Sequence, residues 1–313
     1  MQRAAHLAGR GRPASISINY NLPYEVKIMR TISARMVLLC AMLCGFAGAQ
    51  TPALTFKFKT ITVANAQSTA IYGVNNAGVM VGSYVDHVGV RHGFKLAGGK
   101  VTAIDDPSGT NTYCFGISKA GAIVGFYANS SGGAQAFLYQ KGKFSDIGPA
   151  GSMGSQALGI NDHGDINGNF GDSKGSHGFL LKAGKYSTQD VPGAQFTLGG
   201  GINNAGLMTE VWIDSSGNAE SSRYNGKKYT TIDVPGEASS SAGAISTLGD
   251  IVYSWEGATE TYGGALRHSG KVYKFHVPGG DRTFGYGLND HNVIVGAYTD
   301  DKGVLKGYQG TYQ

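Results

Sequence analysis

A single hexapeptide recurs through this chain and restricts its fold more than any other feature. It reads GVNNAG from Gly73, GISKAG from Gly116, GINDHG from Gly159, GINNAG from Gly201, AISTLG from Ala244 and GLNDHN from Gly287. Successive starts are 43, 43, 42, 43 and 43 residues apart. Such even spacing leaves no room for a second domain or a linker between the repeats. It also gives the hexapeptide a structural reading. Its third residue is Asn or Ser in every copy, and these side chains bond to backbone two residues on and start turns. Its sixth is Gly in five copies and Asn292 in the last, the residues that best tolerate positive φ. A type I turn followed by a left-handed residue is a hairpin.

Around each hairpin lie four short runs of strand character, called a to d here. In the third unit, a is 155–161, b is 165–171, c is 177–182 and d is 185–191. Strand b carries alternate residues of one kind: Met80, Gly82 and Tyr84 in unit 1 recur as Ile166, Gly168 and Phe170 in unit 3. Period-2 spacing places them on one face. The opposite face is also partly apolar, as with Val79 and Val81 or Val293 and Val295. Sheets apolar on both sides must be covered on both sides.

Four strands per period of about 40–45 residues is the pattern of propeller blades. The chain is therefore expected to be all-β: a six-bladed β-propeller with four antiparallel strands per blade. A pair of β-trefoils is the competing architecture. The chain ends favour the propeller. The first strand, 56–62, is of type d, and the last, 304–310, is of type c. The ring is expected to close by pairing the N-terminal strand with the C-terminal blade.

Residues 1–49 read as a removable leader, and 50–313 as one six-repeat domain. Arg30 and Arg35 precede an apolar run, 36–47, of signal-peptide length, followed by small residues at Ala47–Ala49. The run is too short to span a bilayer. Secretion is expected, to the outside or the periplasm. Cleavage would leave Cys114 as the one cysteine, so no internal disulfide is expected. It would also remove six basic residues and one acidic one, leaving twenty of each. A neutral body argues against nucleic acid as a partner.

With the repeat laid out, a family resemblance becomes visible. "HGF" at His92–Phe94 and His177–Phe179, and "QAF" at Gln135–Phe137, follow GVNNAGVMVGSY and its relatives at a fixed distance, and TTIDVPG (230–236) precedes the next unit. Residues 55–313 resemble the bacterial extracellular HAF-type repeat. The resemblance implies export and a propeller-like fold, and it implies no catalytic residue. Unit 4 departs from it, with Glu210 for glycine and AESSRY (219–224) for the aromatic strand; unit 5 departs in its hairpin. An ion pair between Glu210 and Arg223 would explain unit 4.

Recognisable chemistry is sparse. No nucleophile elbow, P-loop or dinucleotide fingerprint is present, and the histidines lack zinc-motif spacing. No cofactor and no metal are expected. Cys114 occupies a mostly small repeat position and reads as a buried thiol. The loops at the b–c and d–a end are the expected ligand face. Trp255, Glu256, Glu260, Tyr262, Arg282, Asp300 and Asp301 are its candidate ligand-binding residues, an aromatic and polar set suited to a sugar or peptide. A monomeric, non-enzymatic binding module for a glycan, peptide or surface protein is the first functional reading. A glycoside hydrolase or polysaccharide lyase is the second, drawing paired carboxylates from Glu210, Glu256, Glu260, Asp300 and Asp301. A structural envelope protein is the third.

Overall fold

The computed structural model describes residues 54–313 except Glu260; the leader and its cleavage site lie outside the described residues. Six four-stranded antiparallel sheets form the blades. β1 (Phe56–Ile61) stands apart in sequence. Blade 1 is β2 (Ser68–Val74), β3 (Met80–Val85), β4 (Arg91–Ala97) and β5 (Lys100–Ala103). Blade 2 is β6 (Thr110–Ile117), β7 (Ile123–Ala128), β8 (Ala134–Gln140) and β9 (Lys143–Ile147). Blade 3 is β10 (Gly154–Ile160), β11 (Ile166–Asp172), β12 (Gly175–Lys182) and β13 (Lys185–Thr188). Blade 4 is β14 (Phe196–Ile202), β15 (Met208–Ile213), β16 (Ala219–Tyr224) and β17 (Tyr229–Thr231). Blade 5 is β18 (Ser239–Ile245), β19 (Ile251–Glu256), β20 (Tyr262–His268) and β21 (Lys271–Phe275). Blade 6 is β22 (Gly280–Leu288), β23 (Val293–Asp300), β24 (Leu305–Tyr312) and, as its outer strand, β1.

Closure follows the expected pairing of the N-terminal strand with the C-terminal blade. Phe56 lies opposite Tyr312 and Ile61 opposite Gly307. Phe56 and Phe58 pack on Phe275 of blade 5, with ring centroids 4.9 and 5.6 Å apart, so the last blade joins its neighbour through the first strand. The a strands touch one another in sequence around the ring, β2 to β6 and on through β22 back to β2. They are the innermost strands.

The hexapeptide makes both the hairpin and the ring. Its last residue has φ between 58° at Asn292 and 88° at Gly249. Its first glycine lets inner strands approach: a Cβ on Gly201 would sit 2.6 Å from Ala244 Cα, and one on Gly287 2.7 Å from the Tyr72 carbonyl. Its asparagine acts twice. Asn75 Oδ1 accepts from the Ala77 and Val79 amides, and Asn75 Nδ2 donates to the Ser118 carbonyl of blade 2 at 3.1 Å. Asn161, Asn203 and Asn289 reach the next blade in the same way, at 3.2, 2.8 and 3.0 Å. Ser118 and Ser246 have no amide to donate. There the link shifts by one residue: the Lys119 and Thr247 amides donate to Asp162 and Asp290 of the following blades, both at 2.7 Å.

Apolar clusters fill the seams between blades 1 and 2, 2 and 3, 4 and 5, 5 and 6, and 6 and 1. Their recurring unit is a glycine on strand b opposite a large ring on strand c: Gly82 with Phe94, Gly125 with Phe137, Gly168 with Phe179 and Gly296 with Tyr308. Blade 5 exchanges the two, placing Tyr253 opposite Ala265. Blade 4 places Glu210 opposite Ser222. Glu210 is thus the large partner of a volume-conserving pair, turned toward blade 3 like Gly199 beside it. The suggested Glu210–Arg223 ion pair does not form. Arg223 lies opposite Thr209, one register position away, and alternation sends it to the other face.

Both Glu210 carboxyl oxygens lack a hydrogen-bond partner, as do Asn167 Oδ1, Asn169 Oδ1 and Trp212 Nε1 along the blade 3–4 seam. Burial holds the Glu210 pKa well above the usual carboxylate range. The pairing predicts a specific mutant cycle. Glu210→Gly alone empties the site and Ser222→Phe alone overfills it, each lowering stability by roughly 2–4 kcal/mol. The double variant restores the arrangement of blades 1 to 3. Chemical denaturation should rank it above the wild type, with a favourable coupling between the two sites.

Candidate functional site

Every a strand carries a β-bulge near its centre, after Ile71, Cys114, Ala157, Gly199, Ala242 and Gly285. The residue that follows is Tyr72, Phe115, Leu158, Gly200, Gly243 or Tyr286 in blades 1 to 6. A bulge adds a residue without a partner and re-aims its side chain. Here the re-aimed residues meet on the innermost ring. Tyr72 stacks on Phe115 of blade 2, with centroids 4.4 Å apart at 14°, and lies 5.2 Å from Tyr286 of blade 6. Leu158, Gly200 and Gly243 occupy the same level on the other three blades. One half of the axial lining is therefore aromatic and the other half is small.

The aromatic half extends toward the b–c loop face through the residue two places earlier on strand a. Phe284 stacks parallel to Tyr286 at 6.2 Å, and Tyr113 lies 6.3 Å from Phe115 and 4.5 Å from Phe126. Tyr262 continues the series from blade 5, its ring 6.5 Å from Phe284. A guanidinium lies over each end: Arg282 is 4.5 Å from the Tyr262 centroid and Arg91 is 4.9 Å from that of Tyr113. Arg91 also donates to Ser83 Oγ at 3.1 Å. The result is an arc of rings across blades 5, 6, 1 and 2 with a cation at each end.

The structure groups three of the residues expected on the loop face. Tyr262 donates its hydroxyl to Glu256 at 3.1 Å and carries Arg282 on its ring. Trp255 lies elsewhere. It is 8% exposed, packs in the blade 4–5 core, and donates from Nε1 to the Gly264 carbonyl. Asp300 is a turn residue: it accepts from the Lys302 and Val304 amides and pairs with Lys306 at 2.8 Å, which lowers its pKa to about 2. Asp301 is exposed in the same turn. Glu260 lies outside the described residues. Phe284, Tyr286, Tyr72 and Phe115 were not among the expected residues. The signal that finds them is the column of bulge residues, which becomes visible once the a strands are aligned.

The histidines of the HGF motif are structural clamps. His92 Nδ1 lies 2.9 Å from Asp105 and its Nε2 3.4 Å from Asp86, joining the b–c turn to the end of strand d. His177 repeats this with Asp190 at 2.9 Å and Asp172 at 3.2 Å. Burial opposes the charged form of His92, yet the aspartate contacts raise its pKa; for His177 the Asp190 hydrogen bond is the leading cause of the rise. Blade 4 has Glu220 at this position. Burial, then the adjacent Asp233 carboxyl, raise Glu220 to about 7. Cys114 is fully buried, and burial pushes its thiol up. Among the described residues no cluster of three His, Cys, Asp or Glu side chains could hold a metal ion.

No protein-family model matches the chain, and no curated protein sequence matches it. Solved structures do resemble it. The lectin of Aleuria aurantia, titled a six-bladed β-propeller with a novel fucose recognition mode, superposes with a TM-score of 0.52 at 14% identity, over 80% of this chain and 93% of that one. SapL1 lectin in complex with α-methyl fucoside gives 0.52 at 11% identity, over 78% and 93%. TolB from Acinetobacter baumannii gives 0.51 at 11%, over 79% of this chain and 65% of TolB. The chain is a six-bladed β-propeller. At these identities the likeness extends to the fold. Among the described residues no helix is long and apolar enough to cross a membrane.

The titrating groups predict an optimum of stability. Folded-state pKa values are raised for Glu210, Glu220, His92 and His177, so the native state holds more protons than the unfolded chain and stability falls as pH rises. The fall begins above the ordinary glutamate value and continues past that of histidine. Asp86, Asp172, Asp214, Asp290 and Asp300 are lowered, so their contribution is lost as pH falls below about 4. The melting temperature should peak at about pH 5 and decline toward pH 8. Glu220→His should rebuild the clamp between Asp214 and Asp233 and raise the melting temperature at pH 5 to 6.

Proposed function

We propose that the protein is an exported binding module of the HAF-type repeat kind, and that its ligand is a glycan held on the aromatic arc. The carrying observation is the asymmetry of the inner ring. Blades 3 to 5 show that Leu158, Gly200 and Gly243 satisfy the fold at the bulge position, so Tyr286, Tyr72 and Phe115 are not required by it. Tyr72, Tyr113 and Phe284 are buried and back the arc, while Phe115, Tyr286 and Tyr262 are the partly exposed rings that can meet sugar C–H groups; the flanking Glu256, Tyr262 hydroxyl, Arg282 and Arg91 suit hydroxyl recognition. Sugar-binding propellers of similar fold, such as the lectins above, lend an analogy of architecture. Export is supported by the leader and by a repeat region with one cysteine. The carboxylates considered for hydrolysis have other partners or surroundings: Glu256 accepts from Tyr262, Asp300 pairs with Lys306, and Glu210 is enclosed between blades.

A glycan array probed with the domain from residue 50 onward tests this reading, followed by calorimetry on the best binders. Phe115→Ala should weaken binding about tenfold, as expected for the loss of one stacking face of ~1.4 kcal/mol. Leu158→Ala, on the opposite arc, should leave affinity within about twofold. Absence of any glycan ligand, or equal losses in the two variants, would overturn the assignment.

A further inference from the structure

The c strands of blades 4 and 5 depart from the repeat together. Arg223 stands where blades 2, 3 and 5 have Leu138, Leu180 and Leu266, and where blades 1 and 6 have Lys95 and Gln309. Arg267 stands where blades 1 and 3 have Leu96 and Leu181 and blades 2 and 4 have Tyr139 and Tyr224. Their directions follow from register. Ser222 shares the face of Glu210, which looks to blade 3, so Arg223 looks to blade 5. Arg267 lies opposite Ile251, whose face packs against Ile232 and Val234 at the end of blade 4. Two guanidinium groups from adjacent blades therefore converge on one seam. With Asp250, His268, Leu248 and Ser269 they line a cleft of about 280 Å³ at the a–b hairpin rim, opposite the loop face.

Neither arginine has a carboxylate within ion-pair distance among the described residues. The acid in the cleft, Asp250, is engaged: it lies 2.8 Å from His268 Nδ1 and accepts from the Tyr312 hydroxyl at 3.1 Å. Tyr253 adds a separate observation. It lies on the same face of blade 5 as Arg267 and is wholly buried. Burial raises its pKa, and Arg267 and, more weakly, Arg223 oppose the rise. No other blade places an arginine at either position, and two like charges converging on one seam form an arrangement that the fold does not need and that costs stability when empty.

We propose that this cleft binds an oxyanion, the carboxylate, sulfate or phosphate group of a small ligand or of an acidic chain. Arg223 and Arg267 supply forked donors suited to paired oxygens, and the Ser269 hydroxyl lines the same cleft. The site does not depend on the aromatic arc, which opens toward the other face and is built from other blades.

The test is thermal denaturation and calorimetric titration of the repeat domain with sodium sulfate, sodium phosphate and sodium acetate, each against sodium chloride at equal ionic strength. The wild type should show saturable stabilisation by at least one oxyanion, and the preferred one identifies the group. Arg223→Leu and Arg267→Leu, each copying a residue of another blade, should weaken it by about tenfold or more. The same variants should melt at or above the wild-type temperature without anion, because the repulsion is relieved. Lys185→Met, on the outer strand of blade 3, should change neither. Arg267→Gln keeps the site polar should the leucine variant fail to fold. No saturable response in the wild type, or a response retained in the arginine variants, would overturn the proposal.

Discussion

The ring depends on one recurrent contact: the amide of a hairpin asparagine donated to the backbone carbonyl of the next blade. A four-stranded blade cannot bury both of its faces alone, so no blade is stable until it has a neighbour on each side. The contact works because two other residues of the hexapeptide permit it. Glycine at its start lets neighbouring inner strands meet at backbone distance, and glycine or Asn292 at its end turns the chain through a left-handed residue. Where serine replaces asparagine, an aspartate one position along in the following blade accepts a backbone amide instead. Each of the six steps thus carries a rim hydrogen bond, at roughly 1 kcal/mol net apiece. The N-terminal strand closes the circle at the outer edge, so the ring is secured at its innermost and outermost strands.

That arrangement tolerates large differences between seams. Five are filled by aliphatic and aromatic side chains. The seam between blades 3 and 4 instead holds Asn167, Asn169, Glu210 and Trp212 with buried polar atoms lacking partners. Volume is conserved there even though polarity is not, since Glu210 and Ser222 occupy the space of a glycine and a phenylalanine. Packing density restricts size closely. Blade 4 also replaces the clamping histidine with Glu220, so its two departures both raise carboxyl pKa values.

The sequence showed what repeats and hid what depends on register. Blade number, hairpin chemistry and the pairing of residues 56–61 with the last strand were legible, because each is written in spacing and in residues with strong backbone preferences. Trp255 was visible as an aromatic, but its burial against blade 4 rests on which face of strand b it occupies. Glu210 and Arg223 were expected to meet and lie on opposite faces, an error of one residue in pairing between strands b and c. The histidine clamps escaped notice because their aspartates come from two different connections. The aromatic arc escaped for a similar reason: Tyr72, Phe115 and Tyr286 are 43 or more residues apart in the chain and meet only through the bulges that turn them to the axis.

A near-sixfold ring separates structural from functional demand in a way a single-copy fold cannot. Whatever the architecture requires at one position, it requires in six places, and the other five blades show which residues meet that need. A small residue at the head of the hexapeptide, glycine in five copies and Ala244 in the sixth, and a large-small pair across strands b and c pass this comparison and belong to the fold. An aromatic half-ring opposite a half-ring of leucine and glycines does not pass, and neither do two facing arginines, since no other blade has an arginine at either position. Two of the departures are clustered: one around the axis in blades 6, 1 and 2, the other in the cleft between blades 4 and 5. Random drift on a tolerant scaffold would place charges singly and on exposed outer strands. Paired guanidinium groups turned inward onto a shared cleft are the pattern that a ligand explains.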